Sequence, residues 1–300
     1  MTPSSTTIIV PPHRFGIKNE NDKFFLPLML KSLVRNNPGF TIIFPNPNGF
    51  KLNITGVDEF FYEENDILEL QKFRQVYTHL STNPYDFELA CFERFFIIRM
   101  IMEKFHINHA YTVESDCLLF KPINLLLSSD AMIGHDVLLT DETCISTAFI
   151  SLDFIQEYCF EVISSYTDAG RVSYMKEWHA KFLDRKNMGG ICDMTFCNSL
   201  KTGWLTNKSK LSISNFSIPF NHNGKTCFYD NFFSNDAILS SSRRFAMETS
   251  NFTPKLHKKY QIVDQKVIAT LDNEESVDLC SIHFQGSNKL LMGHMYANFY

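Results

Sequence analysis

No stretch of this 300-residue chain approaches the ~20 consecutive apolar residues that a membrane-spanning helix needs. The opening MTPSSTTIIV lacks the basic segment and apolar run of a secretory leader, so the expected compartment is the cytoplasm, or a lumen if the sequence is a piece of an anchored protein. Its eight cysteines never fall into C-x-x-C, which disfavours a zinc knuckle and fits scattered reduced thiols. G-x-G-x-x-G, H-E-x-x-H and G-x-S-x-G are missing as well, so dinucleotide oxidoreductases, zinc proteases and α/β-hydrolases lack their anchors. There is no excess of positive charge: a net charge of −5 argues against a nucleic-acid polyanion as the main partner. PFNHNGKT (219–226) echoes a phosphate-binding loop, but Pro219 stands in the place of its first glycine and no apolar strand leads in. Internal repeats, low-complexity tracts and obvious flexible linkers are also absent.

What is present is an ordinary globular composition, 44% hydrophobic and 20% charged, long enough for one large α/β domain or two fused halves. The 29 phenylalanines, several in FF pairs, read as core filling. TTIIV (6–10) reads as a first strand running into Pro11 and Pro12. Residues 21–36 carry helical apolar spacing, and FTIIFPN (40–46) is a second strand. After a polar, acidic connection, two helices are expected over 64–80 and 85–105, then the strand HAYTVESD and two more in MIGHDVLLT and STAFISL. Helices follow over 152–166 and 171–185, and GGICDMTFCNSLK (189–201) reads as a loop opening into a helix. Residues 205–275 look loop-rich, with short strand candidates such as YQIV, and the end reads strand, turn, helix. This alternation predicts an α/β fold around a mainly parallel sheet flanked by helices, whose ligands bind beyond the carboxyl ends of the strands.

Glu114 and Asp116 fall where the HAYTV strand ends, flanked by apolar residues on both sides. Strand alternation places two carboxylates at this spacing on the same side, able to hold a divalent cation that still has positions open for a diphosphate. The alternative is a pair of surface acids in a turn. In SIHFQGSNK, His283 directly after a strand offers a nitrogen ligand, Gly286 permits close backbone approach to a phosphate, and Lys289 offers a compensating charge.

Together these motifs resemble metal-dependent, nucleotide-sugar glycosyltransferases of the GT-A fold, with the C-terminal H-F-x-G-x-x-K closest to the group that includes glycogenin and bacterial galactosyltransferases. The resemblance implies one GT-A catalytic domain over 1–300, with a Rossmann-like nucleotide-sugar half (1–140) and an acceptor half (141–300). It implies Asp116 and His283 as metal ligands for Mn²⁺ or Mg²⁺, with Glu114 standing where this group usually has Asp. Arg94, Glu114, Ser115, Asp116, Gly286 and Lys289 would bind the donor, the first strand standing at the nucleotide. Gly189, Gly190 and Asp230 would face the acceptor or sugar. Asp193 would be catalytic, near a helix N-terminus, taking the acceptor proton in an inverting enzyme or positioning the sugar in a retaining one. Leu290 and Leu291 stand where the group carries aromatic residues. The expected partners are a UDP-sugar donor and a glycan acceptor, with no nucleic acid. A nucleotidyltransferase and a non-catalytic glycan-binding module are the alternatives.

Overall fold

The computed structural model describes residues 7–12, 25–47, 51–128, 135–140, 144–184, 189–215, 220–222, 224–230, 259–263, 266–270, 276–284, 289 and 291–300. The elements run β1 (Thr7–Ile9), α1 (Phe25–Asn36), β2 (Thr41–Asn46), β3 (Asp58–Phe61), α2 (Leu68–Val76), α3 (Tyr85–Lys104), β4 (His109–Val113) and β5 (Cys117–Leu119). They continue through β6 (Val137–Thr140), β7 (Cys144–Ser151), α4 (Leu152–Thr167), α5 (Ala169–Asp184), α6 (Asp193–Thr202) and β8 (Ile213–Asn215). The last are β9 (Phe220–His222), β10 (Lys225–Asp230), β11 (Lys259–Val263), β12 (Lys266–Thr270), β13 (Ser276–His283) and α7 (Met292–Phe299).

The expected α/β architecture is present. A seven-stranded sheet has the order β3-β2-β1-β4-β7-β6-β8, and only β7 runs against its neighbours β4 and β6. From β1 the chain moves one way to β2 and β3, then returns to place β4 on the other side of β1. That reversal leaves a crevice beyond the carboxyl ends of β1 and β4. Alternation along the strands feeds two cores: Ile8 and Val10 face one with α1 and α7, while Ile9 faces the other with α3, α4 and α6. Burial on both faces explains why these strands read as continuous apolar runs. Among the described phenylalanines, Phe73, Phe92, Phe95, Phe96, Phe154, Phe196 and Phe284 are almost fully buried and fill the core, while Phe61, Phe87, Phe105 and Phe160 are exposed.

Three elements differ from the sequence expectation. The acidic connection after β2 contains β3, an edge strand pairing in parallel with β2. The region read as loop-rich contributes β8 to the central sheet and β9, β10 and β12, beside the expected YQIV strand β11, to a second sheet ordered β11-β12-β13-β10-β9. The third is β5, three residues long and antiparallel to β13, with Cys117 opposite His283 and Leu119 opposite Ser281. So short a strand needs partners on its other edge as well. The Ser32 hydroxyl accepts from the Leu119 amide at 3.2 Å, and Asn36 Nδ2 donates to the Leu119 carbonyl at 2.8 Å, so α1 side chains complete the pairing. Among the described residues no helix is long and apolar enough to cross a membrane.

Candidate active site

β4 does not simply end at Glu114. The Cys117 amide donates to the Glu114 carbonyl at 3.0 Å, closing a four-residue turn through Ser115 and Asp116 before β5 begins. The two carboxylates therefore converge through a turn, in place of the strand alternation expected from their spacing. Across the β5–β13 ladder the Phe284 amide donates to the Asp116 carbonyl at 2.9 Å. That pairing brings the C-terminal motif to the acidic turn: His283 Nε2 lies 3.1 Å from Asp116 Oδ1 and 3.3 Å from Glu114 Oε2. Lys289 Nζ sits 3.0 Å from Asp116 Oδ2, with its ammonium over the Phe25 ring.

Arg94, near the middle of α3, closes the other side of the site. One guanidinium nitrogen donates to Glu114 and another to Asp193. Asp193 is the first residue of α6, 4% exposed, where the helix dipole favours a carboxylate. Arg94 thus ties the end of β4 to the start of α6. Gly189 and Gly190 precede that helix and are stitched to the segment before α3: Ile191 donates to the Leu80 carbonyl at 2.8 Å and Thr82 to the Gly189 carbonyl at 2.9 Å. A Cβ on Gly190 would lie 2.2 Å from the Leu80 oxygen, so the close approach of these backbones requires glycine. Ser115 is buried within the turn. Asp230 ends β10, in register with Ile282 beside His283. Gly286 lies outside the described residues.

Burial works against the charged forms of Asp116 and His283, but their mutual attraction prevails. His283 and Lys289 hold the Asp116 carboxyl well below its ordinary range, and Asp116 with Glu114 raises His283. The donor set also suits a cation. Glu114 Oε2 and Asp116 Oδ1 both face one imidazole nitrogen, whose single N–H can point at only one of them. Donor separations near 3 Å are those of adjacent ligands around an ion held at about 2.1 Å.

Sequence reasoning missed three groups around this centre. Cys117, the residue opposite His283, sits against the ligand cluster; its place among the apolar residues CLLF gave no sign of it. A narrow cleft with room for about one water opens where β1, β2 and β3 end, lined by Pro12, Pro47, Tyr62, Glu64, Glu93 and Arg94 among others. Its signal was β3 itself, hidden in an acidic segment. The third is Glu88, 2% exposed on the first turn of α3, whose Oε1 accepts from Asn83 Nδ2 at 2.9 Å.

No family model matches the sequence, nor does any curated protein. Solved structures do. The chain is similar to mouse xyloside xylosyltransferase 1 in its apo form at 10% identity, over 67% of this chain and 82% of that one, with a TM-score of 0.43. It is also similar to an active-site mutant of LgtC at 10% identity, over 83% of this chain and 80% of that one, with a TM-score of 0.42. Both are glycosyltransferases of the GT-A fold. Fold and chemistry rest on this chain's own strands and residues.

Glu88 gives that chemistry a pH-dependent neighbour. Burial, with the charge of Asp193 added, pushes its carboxyl from the ordinary 4.5 up to about 7, although the Asn83 hydrogen bond and Arg94 pull the other way. The folded chain therefore holds the Glu88 proton more tightly than the unfolded chain, and stability falls as pH rises from about 4.5 to about 7. Glu88→Gln is expected to exceed the parent in stability above pH 7 by roughly 2–3 kcal/mol, the gap closing toward pH 4.5. Urea unfolding at a series of pH values measures it, and a gap independent of pH would contradict this account.

Proposed function

We propose that the protein is a divalent-metal-dependent glycosyltransferase that moves a sugar from a nucleoside diphosphate donor, UDP-linked, to a hydroxyl of a glycan acceptor. The observation that supports this reading is the convergence of Asp116, His283 and Glu114 with Lys289 and Arg94, at the crevice where the strand order reverses.

Asp116 and His283, with Glu114, would hold the ion, Mn²⁺ or Mg²⁺. When bound, that ion supplies positive charge to the diphosphate and stabilises it as a leaving group. Lys289, already within reach of Asp116, adds a mobile positive charge on the phosphate side, and Arg94 fixes Glu114 in place. The nucleoside is expected to lie over the ends of β1 and β3, beside Tyr62. Donor and acceptor meet between β4 and α6. There Asp193, oriented by Arg94, engages an acceptor or sugar hydroxyl, with the backbone of Gly189 and Gly190 and the end of β10 at Asp230 on the acceptor side.

Titration calorimetry with UDP and with GDP, each with Mn²⁺ and again with EDTA, tests the reading. UDP is expected to bind with Mn²⁺ and at least about tenfold more weakly with EDTA. Tighter GDP binding would change the donor. Failure of both nucleotides under both conditions would remove the reading. Release of a nucleoside diphosphate on turnover, in place of pyrophosphate, separates sugar transfer from nucleotidyl transfer.

A further inference from the structure

Asp116 and His283 belong to two overlapping donor sets. In the first the third donor is Glu114, which Arg94 already engages. In the second it is Cys117: its Sγ, an Asp116 carboxylate oxygen and a ring nitrogen of His283 lie within 4.8 Å of one another, and all three residues are buried. Among the described residues the Asp116, Cys117 and His283 donors stand together as a group that could hold an ion.

The backbone accounts for the convergence. Cys117 and His283 are directly opposed in the antiparallel pairing of β5 with β13. Opposed residues project to the same side of a ladder with Cβ atoms about 4.5–5.5 Å apart. A buried cysteine is ordinarily a small apolar core residue. Cys117 does belong to the apolar core, with the Thr147 hydroxyl 4.0 Å from its sulfur, but the ladder also sets it opposite an imidazole that meets two carboxylates. A tetrahedral ion about 2.3 Å from sulfur and about 2.1 Å from nitrogen holds those donors roughly 3.6 Å apart, so ligation draws the Cys117 sulfur and the His283 ring together.

We propose that Cys117 donates sulfur to the ion held by Asp116 and His283, and that the site therefore favours thiophilic divalent ions such as Co²⁺, Zn²⁺ or Cd²⁺ over Mg²⁺ more strongly than an oxygen–nitrogen site does. The inference rests on the metal reading above and assigns it a ligand. On ligation the thiol proton passes to solvent and the sulfur lone pair forms the bond to the ion. No oxidation is involved.

Co²⁺ titrated into the metal-free protein tests this optically. The expected result is a near-ultraviolet sulfur-to-cobalt charge-transfer band that saturates at one ion per chain. It should disappear in Cys117→Ser and in Cys117→Ala, and also in Asp116→Asn, which leaves every thiol in place. Cys227→Ser should keep it. The ratio of Cd²⁺ to Mg²⁺ affinity is expected to fall about tenfold or more in Cys117→Ser. Co²⁺ binding without the band in the parent protein overturns the sulfur donor and leaves the metal reading standing. A band that survives both Cys117 variants belongs to another thiol and overturns it equally. Absence of any Co²⁺ binding overturns the sulfur donor and the metal reading together. The parent spectrum and Asp116→Asn decide the question even where the Cys117 variants do not fold.

Discussion

Asp116→Ala and His283→Ala are each expected to lower metal-dependent donor turnover by about a hundredfold or more, with folding retained. Asp116 is the hub of the cluster, in contact with His283 through one oxygen and Lys289 through the other. Removing it takes away a ligand and the anchor of the lysine at once. His283 is the only contribution β13 makes to the cluster through its own side chain, so its loss detaches the second sheet chemically while the β5–β13 backbone pairing persists. Because the two act through one ion, the double variant is expected to be scarcely worse than either single one. Turnover of the donor, measured across added Mn²⁺, together with circular dichroism and urea unfolding, reads both halves of the expectation. Near-parent activity in both single variants would sink the site. So would strict additivity, since it would place the residues in separate machinery.

The parts of this site carried by local pattern were legible before any coordinates. HAYTV has the length and β-branched content of a buried strand, and the acids after it stand out because charge beside apolar residues needs a partner. His283 stood out by its place directly after a strand and by the H-x-x-G-x-x-K spacing that it opens. Pairing between distant segments was not legible. β5 is only three residues long, and its partners are β13 on one edge and Ser32 and Asn36 of α1 on the other. Nothing in CLLF itself specifies these, so the directness of the Cys117–His283 opposition was hidden. YQIV was legible and is β11, whereas β9, β10 and β12 escaped for a related reason: each is short, and sheet formation there follows from packing in the second sheet more than from local preference. In DEFF the exposure runs exposed, intermediate, intermediate, exposed, so β3 has no clean period of two to betray it.

The roles of the charged residues depend on this same distant geometry. Sequence alone set Arg94 and Lys289 beside the phosphates of a donor, as free positive charges. In the folded chain each is in contact with a carboxylate of the site, Arg94 with Glu114 and Asp193, Lys289 with Asp116. A diphosphate entering the crevice therefore meets a nearly compensated set of charges. On the proposed reading that arrangement would give an ion its purpose: without one, the incoming phosphates would face acids that their own cations have only just balanced.

Arg94→Met is expected to destabilise the fold by about 3–5 kcal/mol and to depress turnover with it. Arg94 itself is 14% exposed, Glu114 15% and Asp193 5%, so the triad is largely shielded from water, with Asp193 buried. A neutral side chain of similar length fills the space but leaves two shielded carboxylates without their shared cation, and that uncompensated burial carries the cost. Arg94→Lys should fall between, because one compact ammonium can approach one carboxylate closely but cannot spread two nitrogens across both. Adding Asp193→Asn to Arg94→Met should recover part of the loss, since it removes one of the stranded charges, and the double-variant cycle measures the coupling. Turnover should not recover in that pair, because the link between the end of β4 and the start of α6 stays broken. A loss below about 1 kcal/mol in Arg94→Met, the scale of an exposed ion pair, would mean that water reaches the triad. Arg94 would then be available to a phosphate after all, with its carboxylate contacts incidental to the fold.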